Sequence, residues 1–295
     1  MHAKPKILLT GGSGFLGSNL LRKLIALDYK VFVILRPKSS MSRIDDLCGK
    51  FAPVYMDGSD ISSLFAREKI NSVIHCATNY GREKQVPLDI LEANLTLPLK
   101  LLQIGLDSGV KCFINTDTVL DKRINNYALS KRHFRDWLQS YSDKMTCANV
   151  ALEHFYGPGD NPSKFVTWIV QSLIKGVPAI KLTKGEQKRD FVHIDDVSEA
   201  FICILQNSMR HGHGFFHYEI GSGRLVSISD FVTSIKRLVG NTSTFLDFGA
   251  IPYRKNEVMA SNVNLSGITK LGWIPKISLK TGLARTIKVE KRKFK

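Results

Sequence analysis

Apolar residues in the first half of the chain fall into short unbroken runs, separated by stretches with helical spacing. Ile7–Thr10, Val31–Leu35, Val54–Met56 and Val73–Ala77 have strand length. After the first run, Leu16, Leu20, Leu21, Leu24 and Leu27 recur every three or four residues, as one stripe of a helix. The pattern then predicts a long helix over Leu88–Asp107, a strand over Cys112–Thr116, a helix over Tyr127–Tyr141 and a strand over Cys147–Leu152. Runs that are apolar throughout, rather than alternating, suit strands buried on both faces. Their alternation with helices predicts an α/β fold, a doubly wound parallel sheet covered on both sides. Beyond residue 152 the order loosens, and Pro158, Pro162, Pro178, Pro252 and Pro275 punctuate shorter elements. The expected organisation is a sheet domain over residues 1–152 and a smaller C-terminal lobe over 153–295, with a part near 189–207 returning to the first domain.

Composition narrows this picture. At 295 residues, 43% hydrophobic and 23% charged, the chain has the balance of a globular protein with a sizeable core. Residues 7–21 carry no charge, but the run is too short for a bilayer and is broken by four glycines. It reads as strand, turn and helix, and the expectation is a cytoplasmic protein without a membrane span. The five cysteines are scattered and never spaced C-x-x-C, as in a reducing compartment. His211, His213 and His217 are separated by glycines and read as a loop and strand edge, so no metal site is expected. The net charge of +16 includes a basic tail of Lys288, Lys291, Arg292, Lys293 and Lys295. No helix-turn-helix or RNA-binding aromatic pattern accompanies it, which favours small phosphorylated ligands over nucleic acid.

The first strand runs into Thr10-Gly11-Gly12-Ser13-Gly14-Phe15-Leu16-Gly17. Gly11, Gly14 and Gly17, between a strand and an apolar helix, fit a tight turn that brings backbone amides and a helix N-terminus up to a pyrophosphate. Gly11, Ser13, Gly14, Phe15, Leu16 and Gly17 are therefore candidate dinucleotide-binding residues. The second strand ends in Leu35-Arg36-Pro37-Lys38, where an acidic residue would select the free ribose hydroxyls of NAD. Arg36 can instead clamp a 2′-phosphate, so NADPH is the expected cofactor, with NAD the alternative if Arg36 is a surface charge. Asp57 or Asp60, after the third strand, is a candidate partner for the adenine amino group.

Tyr127 and Lys131 stand four residues apart on a predicted helix, and so share a face. A cation beside the phenol favours phenolate and would lower its pKa from about 10. Thr116, at the end of the preceding strand, offers a hydroxyl to a reacting carbonyl. Thr116, Tyr127 and Lys131 are the candidate catalytic residues.

With these motifs the chain resembles the extended short-chain dehydrogenase/reductase superfamily of nucleotide-sugar epimerases, dehydratases and reductases. The likeness covers nearly its full length and implies a Rossmann-type domain followed by a substrate-binding lobe. In this resemblance Asn94 takes the place of the helix-four asparagine of the site, and Ala77, in His75-Cys76-Ala77-Thr78-Asn79-Tyr80-Gly81, lies with the cofactor residues. Arg189, in Arg189-Asp190-Phe191-Val192-His193, and Arg254, in Pro252-Tyr253-Arg254, match the arginines that hold a sugar-nucleotide diphosphate. Tyr80, Thr118 and His154 complete the implied substrate residues, and His193 is structural. A homodimer is also implied. The strings Asn115-Thr116-Asp117-Thr118 and Glu153-His154-Phe155-Tyr156-Gly157-Pro158 are similar to those of 4-ketoreductases of O-antigen sugar biosynthesis. These reduce C4 of a 4-keto-6-deoxy, CDP-linked 3,6-dideoxy sugar nucleotide.

Three departures refine the reading. Dehydrating relatives follow the threonine with Asp-Glu, whereas Thr116 is followed by Asp117 and Thr118, which disfavours elimination. His154 stands in the register where many relatives place asparagine. Ten residues, 117–126, separate Thr116 from Tyr127, against a longer substrate loop in most relatives. The expected activity is NADPH-dependent reduction of a keto sugar nucleotide. The alternatives are an NAD-dependent 4-epimerase and, more remotely, a non-catalytic dinucleotide sensor on the same fold.

Overall fold

The computed structural model describes residues 4–55, 61–81, 86–210 and 212–294. Up to residue 152 the order is β1 (Lys6–Thr10), α1 (Phe15–Ala26), β2 (Lys30–Leu35), β3 (Ala52–Tyr55), α2 (Ile61–Glu68), β4 (Ser72–His75), α3 (Pro87–Leu91), α4 (Leu97–Asp107), β5 (Cys112–Thr118), α5 (Asn126–Ser140) and β6 (Thr146–Leu152). The chain continues through β7 (His154–Tyr156), α6 (Phe165–Lys175), β8 (Ala179–Leu182), β9 (Lys188–His193), α7 (Ile194–Ser208), β10 (Gly214–Ile220) and β11 (Leu225–Ser227). It ends with α8 (Ile228–Val239), β12 (Phe245–Phe248), α9 (Ser266–Thr269) and α10 (Leu279–Arg292).

Two compact units emerge. One takes in the described parts of Met1–Leu152 with Ser198–Glu219 and Ser266–Trp273; the other takes in Glu153–Val197, Ile220–Leu265 and the described part of Ile274–Lys295. In the first, a seven-stranded sheet has the order β10-β6-β5-β4-β1-β2-β3. From β1 the chain winds outward through β2 and β3, then returns to pair β4 on the other side of β1, with Leu9 opposite Ile74. The strand order reverses between β1 and β4, and ligands bind such folds in the crevice at the carboxyl ends of those two strands. β4, β5 and β6 extend the sheet in parallel. Every residue of β5 and β6 is buried, including the polar Asn115, Thr116, Asp117, Thr118, Thr146 and Asn149 that interrupt their apolar runs.

On this sheet Leu8, Phe32, Phe65, Leu101, Phe113, Phe134 and Leu138 form a continuous core. Phe134 is fully buried, its ring centroid 5.8 Å from that of Phe113. Phe134→Ala should therefore lower stability by about 3–5 kcal/mol. Urea unfolding at unchanged m-value would report this, and a loss below about 1 kcal/mol would contradict the placement.

The long helix expected over Leu88–Asp107 is interrupted. Glu92–Thr96 forms a wider π-helical turn between α3 and α4, with the Leu97 amide reaching back five residues to the Glu92 carbonyl. Pro98 explains the break, because it has no N–H to give the Asn94 carbonyl four residues earlier. Expected boundaries move at other places too. Leu27 lies beyond α1 and is half-exposed, β4 stops at His75 rather than Ala77, and β5 runs on to Thr118. Met56, the expected end of the third strand, lies outside the described residues.

In the second unit, β9 lies between β7, in parallel, and β11, antiparallel, while β8 and β12 form a separate parallel pair. α6, α8 and α10 enclose a core that includes Ile169, Phe231, Ile235 and Leu283. Phe191 of β9 stacks on Phe231 at 3.8 Å between ring centroids, which ties that strand to α8.

Candidate active site

At the carboxyl end of β1 the chain turns through Gly11, whose φ of +69° suits glycine. The Gly14 amide donates to the Gly11 carbonyl at 2.9 Å, and α1 starts at Phe15. A Cβ on Gly17 would lie 2.1 Å from the Gly11 oxygen, and one on Gly11 would lie 2.6 Å from the Ala77 nitrogen. The turn thus presses against both α1 and the segment after β4. Thr10 Oγ1 secures that segment by accepting from the amides of Cys76 and Ala77, each at 3.1 Å. The first turn of α1, Phe15–Ser18, carries no acidic side chain. These features fit a dinucleotide diphosphate: open amides at a helix start, a backbone that approaches closely, and no competing carboxylate. Leu16 is buried in the core, while Ser13 and Phe15 are half-buried at the turn.

Arg36 follows directly on β2 and is exposed, its amide donating to Ser39 Oγ at 3.0 Å. Asp57 and Asp60 lie outside the described residues.

The catalytic candidates gather where β5 meets α5. Asn125 caps α5 by accepting from the Ala128 amide at 2.8 Å, which sets the helix start one residue before Tyr127. The Tyr127 ring packs on that of Tyr80 at 5.1 Å between centroids, and its hydroxyl meets the Thr118 side chain. Thr116 Oγ1 points to Cys76 Sγ at 3.5 Å. Lys131 is fully buried, with its ammonium donating to the Thr116 carbonyl at 2.9 Å. Burial is the largest influence on Lys131 and lowers its pKa to about 8.

The expected effect of lysine on tyrosine is not what the structure has. Burial, then Tyr80 and the Asp117 carboxylate, hold the Tyr127 phenol well above its ordinary value, with the Thr118 contact partly offsetting them. A fully buried ammonium needs an acceptor, and the Thr116 carbonyl provides it.

Asn94 sits in the π-helical turn. Its amide accepts from the Asn79 N–H and donates to the Asn79 carbonyl, each at 2.8 Å, and also reaches Ser130 Oγ at 3.0 Å. It therefore binds the segment carrying Tyr80 to the helix carrying Tyr127. Asp117, passed over as a site residue by the sequence reading, lies buried beneath Thr118. It accepts from Lys122 Nζ at 2.8 Å, the Thr118 amide at 2.7 Å and Asn149 Nδ2 at 2.9 Å.

The remaining candidates, His154, Arg189 and Arg254, belong to the second unit. His154 on β7 pairs in register with Phe191, two residues after Arg189 on β9. Its Nδ1 lies 3.0 Å from the buried Glu153 carboxylate. Arg189 Nη2 donates to Glu257, whose amide donates to the Arg254 carbonyl at 3.0 Å, so one acidic residue joins the two arginine segments. Neither Glu153 nor Glu257 was among the expected site residues. Each lies far from a recognisable motif or in an unmatched position beside one.

Fold, glycine turn and Thr–Tyr–Lys cluster together define an NAD(P)-dependent enzyme of the short-chain dehydrogenase/reductase type. The chain belongs to the NAD dependent epimerase/dehydratase family, whose model matches residues 7–221. It is similar to CDP-abequose synthase of Salmonella typhimurium strain LT2, with 33% identity over 97% of this chain and 98% of that one. It is also similar to CDP-abequose synthase of Salmonella muenchen, with 30% identity over 98% and 99% of the two chains. Among solved structures, UDP-glucose 4-epimerase from Thermotoga maritima, determined with UDP-glucose, shares the fold at a TM-score of 0.83. That likeness has 24% identity over 98% of this chain and 100% of that one. Among the described residues no helix is long and apolar enough to cross a membrane.

Proposed function

We propose that this enzyme uses NADPH to reduce the C4 keto group of a 4-keto-6-deoxy sugar nucleotide, CDP-linked like the product named for its Salmonella relatives. In this reading the first unit binds the dinucleotide, and the second binds the sugar nucleotide through His154, Arg189 and Arg254. The observation that carries it is the setting of Tyr127. Its phenol is held above its ordinary pKa, so it keeps its proton at neutral pH. The nearby Asp117 carboxylate is already engaged by Lys122, Asn149 and the Thr118 amide. Such a site offers a proton to an alkoxide, which is far more basic than a phenolate. It leaves no free carboxylic acid at Asp117 for an elimination.

NADPH, when bound, supplies the hydride. Tyr127 then gives its phenolic proton to the C4 oxygen, and the Thr116 hydroxyl hydrogen-bonds that oxygen as charge develops on it. Lys131 opposes the negative charge left on Tyr127. Asn94 holds Tyr80 and Tyr127 in place through Asn79 and Ser130. Arg189 and Arg254 grip the diphosphate, so that binding away from the reacting carbon orients the sugar.

Arg36, placed directly after β2, supports the phosphorylated cofactor. Purified protein given a CDP-4-keto-6-deoxy sugar and NADPH should consume the nicotinamide absorbance in step with the sugar. Arg36→Asp should lose about tenfold or more of its preference for NADPH over NADH. A folded protein that leaves the absorbance unchanged would overturn the reduction. Interconversion of C4 epimers without net cofactor consumption would replace it with epimerisation.

A further inference from the structure

The Asp117–Lys122 pair sits beside the catalytic cluster without any role in the chemistry above. Lys122 lies in the short loop between β5 and α5, five residues after Asp117. Its ammonium is fixed from two sides, donating to Asp117 Oδ1 at 2.8 Å and to the Thr118 carbonyl at 2.7 Å. The Asp117 side chain is fully buried, and its other oxygen is held by Asn149. An unpaired carboxylate in that position would be costly, and its field would act at nearly full strength on its neighbours. Those neighbours are Tyr127, Lys131 and Arg132 from α5, while Tyr80 and Cys76, from the segment after β4, face Tyr127 and Lys131 in turn. From β10, His217 reaches Asp117 through the Asn149 amide.

We propose that Lys122 is a positioning residue for proton transfer, whose clamped ammonium cancels the buried Asp117 carboxylate and so sets the charge felt by the Tyr127–Lys131 pair. Asp117 is retained because it anchors Asn149 and the Thr118 amide at the end of β5. Left alone, it would oppose the negative charge that appears on Tyr127 once the phenol has given up its proton. Lys122 weakens that opposition while leaving the strand end in place. The inference rests on the reading of Tyr127 as proton donor, but part of its test does not.

Lys131 reports the balance directly. Asp117 raises its pKa and Lys122 lowers it, on top of the larger lowering by burial. In full-chain protein labelled with isotopic lysine, the wild-type Lys131 side-chain resonance should titrate at about 8, below an ordinary lysine. In Lys122→Met and Lys122→Gln it should titrate about one unit higher, because the cation that opposed its charge is gone. In Asp117→Asn it should move the other way, and the Lys122→Met/Asp117→Asn double variant should return toward wild type. Lys122→Arg should titrate like wild type. In the active enzyme, the basic limb of the kcat/KM profile should move upward in Lys122→Met and be restored by Lys122→Arg. A merely structural role would lower activity without moving that limb. If both charge-removing variants fold, as judged by circular dichroism, and Lys131 titrates unchanged, the proposal is wrong. If Lys131 shifts as stated but the wild-type enzyme reduces no keto sugar, the electrostatic role stands and the reductase reading falls.

Discussion

Tyr127→Phe should lower kcat for keto-sugar reduction by about 10²–10⁴-fold while leaving NADPH affinity and stability close to wild type. The substitution keeps the ring, so the packing against Tyr80 at 5.1 Å survives and α5 keeps its Asn125 cap. What disappears is the hydroxyl, and with it the contact to Thr118 and the proton for the forming alkoxide. Loss of one hydrogen bond would cost about 1 kcal/mol of stability, well short of unfolding the unit. KM should change little, since the phenol acts in the transition state rather than in uniform binding. Stopped-flow measurement of nicotinamide oxidation in a single turnover would isolate the chemical step from product release. A variant that keeps more than about a tenth of wild-type turnover would remove Tyr127 from the mechanism and leave Thr116 or a solvent proton to explain the reduction.

The raised phenol and the lowered lysine share a cause in the site's burial. Taking charges out of water disfavours phenolate on Tyr127 and ammonium on Lys131 alike. In the proposed reaction, proton donation would leave Tyr127 negative one turn of α5 away from Lys131. Before reaction the pair is neutral at the phenol and held at the lysine by the Thr116 carbonyl.

How far the residues announced this site depends on how local each requirement is. Gly11 and Gly17 were legible because a positive φ at the first and a close backbone contact at the second each demand glycine, whatever the rest of the chain does. Tyr127 and Lys131 were legible from helical spacing, although the lysine's acceptor was not. That acceptor is a backbone carbonyl on β5, which no spacing within α5 can reveal. Strand ends were less legible for a related reason. β5 continues to Thr118 because β6 offers partners as far as Leu152, and such register depends on the neighbour rather than on the strand. The break in the Leu88–Asp107 helix was signalled by Pro98, which stands mid-way along that span and in the first turn of α4. Asp117 with Lys122, and Arg189 with Glu257, meet across loops whose spacing matches no periodic pattern.

Gly17→Ala should cost the enzyme its dinucleotide, weakening NADPH binding by about 100-fold or more, and should lower stability by about 1–3 kcal/mol. The added methyl would sit 2.1 Å from the Gly11 oxygen, 2.7 Å from the Gly11 carbonyl carbon and 2.9 Å from Gly12 Cα. All three are backbone atoms, so no side chain can swing aside. Either α1 tilts away from β1 or the turn opens. Opening it breaks the 2.9 Å bond from the Gly14 amide to the Gly11 carbonyl and rotates the amides that face the diphosphate. Gly14→Ala gives the internal comparison. Its methyl would meet the Gly11 oxygen at 3.1 Å from a φ of −76°, a contact that a shift of a few tenths of an ångström relieves. Binding should then weaken by about tenfold or less. Fluorescence titration with NADPH, alongside thermal unfolding without it, separates the two effects. Equal losses for the two alanines would mean that side-chain bulk facing the ligand governs binding at this turn. A much larger loss at Gly17, where the methyl faces the turn's own backbone, would place the control in the close packing of α1 on β1 that holds the amides in position.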